Sequence, residues 1–191
     1  FNSNATDLDK LARAPFDFLA GAKREGNFAL DIPDLYRRSL SYQPLFTCGL
    51  MINKRFIRKH GAYNPEFNRV GAEDWEFCLR VIESGEVGLC ALPLVKIRRH
   101  AGNDSTSALH MSLGEVAILN HALANHRTAR LHPSRIAEAI LRRRIDAFNT
   151  AFAAGQFDTA ATLSRQIQSS PMQIKLLVKR LVVALPGSIR S

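Results

Sequence analysis

The chain has 191 residues, 46% of them hydrophobic, which is enough to bury a core and is typical of one domain or slightly more. No stretch reaches the roughly 18 uninterrupted apolar residues that a membrane-spanning helix needs. The first residues, Phe1 to Asn4, contain neither an initiator methionine nor the pattern of a signal peptide. These features suggest a piece of a longer protein and give no sign of a membrane span.

The net charge of +9 is unevenly distributed along the chain. Residues 1–110 carry 15 basic against 13 acidic side chains, whereas residues 111–191 carry 11 against 4. Aromatic residues are not interleaved with these basic charges, so a nucleic-acid partner is not expected. A solvated helical surface is the simplest explanation of the basic region.

The cysteines and histidines show no ligand spacing. Cys48, Cys78 and Cys90 are odd in number, widely separated and set among apolar residues, which favours reduced, buried thiols over disulfides or a zinc site. The histidines are scattered, so no metal site is expected from them. Reduced thiols indicate a cytoplasmic compartment.

Periodicity predicts short elements over the first hundred residues. Apolar residues at helical spacing favour helices, with Pro15 expected to kink or divide the first, and Gly61 and Gly85 expected to end two others. The expected helices are 7–24, 34–40, 54–60 and the one that runs from Ala72 to Gly85. Short apolar runs favour buried strands at 45–52, 87–92 and 94–97, the last two divided by Pro93. Segments 62–70 and 98–107 are expected to be loops.

From residue 110 onward the pattern is helical throughout, with Pro133, Gly155 and Pro171 as breaks. The expected helices are 110–126, 133–153, 157–169 and 171–185. Residues 151–161 are similar to the turn of a tetratricopeptide repeat, but only one such unit is visible, which favours a simple helical hairpin. The expected domains are therefore 1–109 and 110–191.

Two adjacent carboxylates, Glu73 and Asp74, stand at the start of the predicted 72–85 helix and are followed by Trp75. A purely structural explanation exists, because acidic residues at a helix N-terminus stabilise the helix dipole and can cap the first turn. The pair alone is a weak functional signal.

The surrounding segments change this interpretation. In order along the chain they are Asn53–Phe56, His60–Phe67, Gly71–Arg80 and Lys96–Ser105. This series resembles the second half of family 2 inverting glycosyltransferases of the GT-A fold. In that family a strand carries small residues and a basic pair, and a Gly-Gly/Ala-Phe/Tyr turn follows. A Glu-Asp-Trp motif then opens a helix, and an Arg-x-His-x-x-Asn-x-Ser loop closes the site. The resemblance covers residues 43–107 well and residues 1–42 loosely, and the tail matches only in being helical and basic.

The resemblance implies that Asp74 is the general base, which takes the proton from the acceptor hydroxyl as its oxygen attacks the anomeric carbon. Glu73 would position the motif or bind acceptor hydroxyls. Trp75 would offer an apolar face to a sugar ring or anchor the helix in the core.

The predicted 98–107 loop carries Arg98, Arg99 and His100. The guanidinium groups suit a diphosphate and the imidazole suits a metal or the leaving phosphate, although surface charges and a hydrogen-bonded loop histidine are the simpler explanation. The resemblance also implies a divalent metal, Mg²⁺ or Mn²⁺, on an Asp-x-Asp motif of the nucleotide-binding half. Asp7 and Asp9 have that spacing, but they fall at a predicted helix start, so the metal ligands are expected outside this chain.

The expected fold is therefore α/β, a partial GT-A-like core with few short strands followed by an all-helical tail, mostly helical overall. The implied function is transfer of a sugar from a nucleotide-sugar donor to a glycan or lipid-linked acceptor in cell-surface polysaccharide or glycoconjugate synthesis. This chain would lack the nucleotide-binding half and be inactive alone. The alternative is a non-catalytic interaction module whose basic helical tail docks a partner or membrane.

The last predicted helix, within residues 171–191, pairs an apolar run with Lys175, Lys179 and Arg180. This composition fits peripheral contact with the inner face of a membrane, or a partner-binding helix. Packing against Ile136, Ile140 and Phe148 would instead make it structural.

Overall fold

The computed structural model describes residues 13–43, 45–96, 107–167 and 174–184, and this part of the chain is mostly helical, with one small sheet. The strands are β1 (Lys23–Glu25), β2 (Phe28–Leu30) and β3 (Leu89–Cys90). The helices are α1 (Leu35–Ser39), α2 (Lys54–His60), α3 (Glu73–Ser84), α4 (Ala108–Asn125), α5 (Pro133–Ala153), α6 (Phe157–Gln166) and α7 (Ile174–Ala184). The expectation of a mostly helical chain with few short strands is confirmed.

The sheet is antiparallel, in the order β1-β2-β3. Glu25 pairs with Phe28 across a turn of two residues, Gly26 and Asn27, and Gly26 adopts a positive φ of 55° that suits glycine. β2 then pairs Ala29 with Leu89 of β3. This hairpin was not predicted, because its first strand is a charged, exposed Lys-Arg-Glu triplet without an apolar alternation.

The strand expected at 45–52 is wrong. A 3-10 turn occupies Thr47–Gly49, closed by the hydrogen bond from Gly49 N to Phe46 O at 2.8 Å, and Cys48 is exposed. An apolar run becomes a strand only where another strand pairs with its backbone, and β1–β3 pair among themselves instead.

Two further predictions need correction in the described residues. Residues 13–22 form successive turns, with Phe18 N donating to Pro15 O, where a helix over 7–24 was expected. Pro15 is the reason, because it lacks the amide hydrogen and its ring obstructs the preceding helical turn. Residues 94–96 are not a strand, and the 87–92 strand is reduced to β3. Residues 1–12 lie outside the described part.

α3 begins abruptly after two residues with left-handed backbone. Gly71 has φ 86° and Ala72 has φ 60° and ψ 24°, and the helix starts at Glu73. Left-handed geometry is uncommon for a residue with a Cβ, so the surroundings must hold Ala72 in place. Ala72 is buried at 5% exposure, which supplies that constraint.

One core joins the two predicted regions of the chain. α1, α3, α4 and α5 all contribute to it, with these members: Tyr36, Leu40, Phe67, Ala72, Trp75, Leu79, Ile118, Leu119, Ala122, Ala129, Ile136, Ala139 and Ile140. The boundary expected near residue 110 therefore runs through a shared core. Gly114 lets α4 lie close to the segment before α3, since a Cβ at residue 114 would overlap the carbonyl oxygens of Val70 and Gly71. A glycine within a helix lowers stability by about 0.5–1 kcal/mol relative to alanine. The close contact with residues 70 and 71 explains why glycine occupies position 114.

The tail continues as α5, α6 and α7. α5 and α6 form the predicted hairpin around Gly155, which has φ 70°. Leu176 and Val183 of α7 pack into a second cluster with Phe148, whereas Ile136 and Ile140 belong to the first. No helix in the described residues combines the length and the apolar character needed to cross a bilayer.

Candidate functional site

The two carboxylates of the motif lie at the surface of the molecule, in the first turn of α3. Glu73 is exposed and Asp74 is half-buried. The first helical turn leaves backbone N–H groups unpaired and carries a partial positive charge, which favours acidic residues at these positions. A carboxylate held at the start of a rigid helix and open to solvent can accept a proton from an approaching hydroxyl.

Trp75 points the other way, into the core. Its side chain is 1% exposed, and its Nε1–H donates to the carbonyl oxygen of Ser39 at 2.9 Å. The guanidinium carbon of Arg143 lies 4.7 Å from the centre of the ring. Of the two roles that the resemblance implies for Trp75, anchor or sugar contact, its burial supports the anchor.

A group of aromatic side chains covers the side of α3 that carries Phe77. The ring of Tyr63 lies 4.7 Å from that of Phe77, and the ring of Phe56 lies 6.3 Å from it and 4.7 Å from His60. Phe77 is buried, but Tyr63 stays 39% exposed. Burial raises the pKa of Tyr63, while a hydrogen bond with Thr47 lowers it.

Tyr63 is the ring that stands near the carboxylates. Phe77 follows Glu73 by four residues and Asp74 by three, so the three side chains share one face of α3. Since Tyr63 packs at a tilt against Phe77, the exposed Tyr63 ring extends the surface that bears the two carboxylates. The sequence contained this residue within the Gly-Ala-Tyr turn, but only the packing shows that it, and not Trp75, is accessible.

Arg80 ties the loop after α2 to α3. Its Nε and Nη2 donate to the two oxygens of Glu76 at 2.9 and 3.1 Å, and its Nη1 donates to the carbonyl of His60 at 2.6 Å. Nη2 also donates to the carbonyl of Ala62 at 2.5 Å. This bonding fixes the backbone that precedes Tyr63.

A buried polar cluster lies on the inner side of α3. Ligand atoms of Glu76, His121 and His126 lie within 4.8 Å of one another, close enough to hold a metal ion. His126 shares a hydrogen bond of 2.8 Å with the hydroxyl of Tyr36, and burial lowers the pKa of His126 while it raises that of Tyr36. No ligand spacing was recognised in the sequence, because Glu76 and the two histidines come from different helices.

The contacts of this cluster favour a hydrogen-bonded network over a metal centre. Two imidazoles and a carboxylate are a donor set that zinc accepts. Arg80, however, pairs with both oxygens of Glu76, so a divalent cation would have to bind beside a guanidinium in a buried site. We assign no cofactor to the cluster.

Comparison with protein-family models, curated proteins and solved structures finds no match for this chain. The resemblance to family 2 glycosyltransferases therefore depends on the four ordered segments alone.

The remaining predicted site residues are not among those that the structure describes. Arg98, Arg99 and His100 lie outside the described residues, as do Asp7 and Asp9. Predictions for these residues stay as the sequence made them.

The expectation of buried thiols holds for Cys78 but is wrong for Cys48, which is exposed, while Cys90 is partly exposed. Burial raises the pKa of Cys78 to about 12, so that thiol stays protonated.

Proposed function

We propose that this chain is the acceptor side of an inverting glycosyltransferase with a GT-A-like core and that Asp74 is its general base. The observation that carries the proposal is the entry to α3. Gly71 and Ala72 hold left-handed backbone directly before Glu73, which is exposed, and Asp74, which is half-buried. A constrained backbone of this kind concentrates at functional sites.

The chemistry follows from this position. Asp74 accepts the proton of the acceptor hydroxyl while the oxygen of that hydroxyl forms a bond to the anomeric carbon. The bond from that carbon to the nucleoside diphosphate breaks on the opposite face, which inverts the configuration. A nucleotide-binding half would hold the leaving diphosphate together with a Mg²⁺ or Mn²⁺ that would neutralise its charge, and Arg98, Arg99 and His100 would add contacts.

Tyr63 is the acceptor contact that this site offers. An aromatic ring packs against the C–H face of a pyranose, and a neighbouring carboxylate accepts hydrogen bonds from its hydroxyls. Tyr63 is 39% exposed, whereas Trp75 is 1% exposed. We therefore assign the sugar-facing role to Tyr63 and the anchoring role to Trp75, with Glu73 as the second carboxylate toward the acceptor.

Replacement of the base tests the proposal. Asp74→Asn should lower kcat by about 10²- to 10⁴-fold, because a general base contributes that much, and should leave donor binding nearly unchanged. Glu73→Gln should have a smaller effect. The assay is transfer from UDP-, GDP- and dTDP-sugars with Mn²⁺ by the complete protein that contains this chain. Glu138→Gln, an exposed carboxylate on α5, is the control. Near wild-type turnover by Asp74→Asn would remove Asp74 from the mechanism.

A second candidate function is a non-catalytic module that docks on a membrane, at the cytoplasmic face. The observation in its favour is α7, where Leu177, Val178 and Leu181 are 41, 53 and 61% exposed and Lys175 is also exposed. Apolar side chains beside cations suit an anionic bilayer surface. The membrane contact itself is compatible with either function, since a transferase that acts on a lipid-linked acceptor also works at such a surface.

A further inference from the structure

The helical tail makes a direct contact with the carboxylate motif through Arg143. This residue of α5 is 8% exposed, and its guanidinium carbon lies 4.7 Å from the centre of the Trp75 ring. Its Nε forms an ion pair of 2.9 Å with Glu115 of α4. A guanidinium that is buried against an indole and paired with a carboxylate is held in one geometry. Trp75 is held in turn, and it is the residue next to Asp74.

α4 makes a second and independent contact with the same segment. Gly114 lies so close to the carbonyl oxygens of Val70 and Gly71 that a Cβ would overlap both. The imidazole of His110 and the sulfur of Met111 lie beside Gly71 as well. The backbone that turns left-handed before the carboxylates is therefore packed against the tail.

Arg143 is a basic residue of the tail that does not belong to its solvated surface. The sequence predicts a solvated helical surface for the basic residues after residue 110, yet Arg143 is buried and packs on Trp75. Burial lowers the pKa of Arg143, and the charge of Glu115 opposes that effect. Burial of a charged guanidinium costs free energy, so the contact of Arg143 with Trp75 explains its position better than a role as a surface charge does.

We propose that α4 and α5 are the frame that positions Asp74, with Arg143 acting through Trp75 and Gly114 acting through the carbonyls of residues 70 and 71. This inference rests on the proposed function, because it names what sets the geometry of that site. The tail is then a part of the transferase and not an appendage for partners, and Arg143 and Gly114 are positioning residues.

The chain carries a built-in probe for this coupling, since Trp75 is its single tryptophan. The variant Arg143→Met keeps the length and the apolar stem but removes the charge over the indole. Arg143→Lys keeps the charge without the planar fork. Arg142→Met, an exposed neighbour on the same helix, is the matched control.

Acrylamide quenching of Trp75 and amide hydrogen exchange report the geometry without any substrate. Arg143→Met should raise the quenching constant about twofold and the exchange of residues 71–76 about tenfold, while α6 exchanges as in the wild type. Arg143→Lys should fall between, and Arg142→Met should match the wild type. Unchanged exchange at 71–76, or an equal increase in α6, would overturn the inference, the latter because it shows general destabilisation.

Turnover by the complete protein supplies the functional arm. A displaced base lowers kcat more than KM, so Arg143→Met should lose about tenfold or more in kcat with KM within about twofold, and Arg143→Lys should recover part of it. If Asp74→Asn is inactive while Arg143→Met turns over normally, the positioning inference fails and the proposed function stands. If Asp74→Asn is active, the proposed function fails, and the exchange arm alone decides whether the tail holds the motif.

Discussion

At the scale of single residues, the assignment of Tyr63 to the acceptor depends on its exposure and on its packing against Phe77. Tyr63→Ala should raise KM for the acceptor about tenfold with a smaller change in kcat, because loss of a contact made equally in ground and transition states raises KM. Tyr63→Phe keeps the ring and should change KM less than threefold, which acceptor titrations at saturating donor can measure.

Phe16→Ala, an exposed aromatic residue elsewhere on the molecule, is the matched control. An acceptor KM that stays the same in Tyr63→Ala, or that rises equally in Phe16→Ala, would show that the Tyr63 ring does not contact the acceptor.

His126 is a second residue with a measurable consequence. Its pKa lies below the ordinary value of 6.5, mainly because of burial, with contributions of the same sign from His121 and Arg80 that Glu83 and Glu76 oppose. The folded chain therefore takes up a proton at lower pH than the unfolded chain does. The stability due to neutral His126 is complete above pH 6.5 and is lost as the pH falls from there through the folded pKa.

Urea unfolding at pH 7.5 and 5.5 tests this expectation. The free energy of unfolding should be lower at pH 5.5, since one pH unit of separation between the folded and unfolded pKa values is worth about 1.4 kcal/mol. His126→Gln keeps a polar side chain near Tyr36 but cannot titrate, so its pH dependence should be flatter. A dependence as steep as that of the wild type would assign the titration to another group.

At the scale of elements, α7 combines a buried face with an exposed apolar face. Leu176 and Val183 are buried in the second core cluster, so one face docks as the structural alternative expected. Lys179 donates to Asn149 at 2.7 Å and Arg180 donates to Ser164 at 3.1 Å. Two of the three cations of α7 therefore bind within the protein itself. The opposite face keeps Leu177, Val178 and Leu181 exposed, and membrane contact depends on that face.

Vesicle co-sedimentation tests the exposed face of α7. With vesicles containing anionic lipid, the chain should bind at low salt and release at high salt, because the attraction of each cation is about 1 kcal/mol and is screened within a Debye length. Replacing Leu177, Val178 and Leu181 with Gln should abolish binding. The control places Gln at three exposed apolar positions elsewhere, Phe16, Leu94 and Leu131. Equal binding by the two triple variants would exclude α7 as the contact.

At the scale of the whole molecule, the two predicted regions, 1–109 and 110–191, share one hydrophobic core. Ile118 and Leu119 of α4 and Ile136 of α5 are fully buried in the same cluster as Trp75. Apolar burial is the main stabilising contribution to a fold, at roughly 25 cal/mol per Å². Helices that bury this much surface against α3 contribute to the stability of the motif segment, and this agrees with a tail that frames the site.

How far the sequence predicts this fold differs between helices and strands. The positions of α1 to α7 follow from periodicity and from glycine and proline stops, which are local properties of a segment. Strands need a distant partner for their backbone groups, so an apolar run at 45–52 predicts a strand that does not form. The hairpin of β1 and β2 passes unnoticed because its first strand is charged and exposed.

The candidate site divides in the same way. Sequence alone placed Glu73 and Asp74 at the start of a helix, because the motif, the helical period and the preference of acidic residues for a first turn are all local. Which side of that helix faces solvent was decided by tertiary packing. Trp75 became an anchor because α4 and α5 pack on its side of α3, and Tyr63 stays accessible where it packs against Phe77. Burial of Arg143 likewise depends on neighbours remote in sequence, since only packing determines whether a charged side chain meets water or a partner.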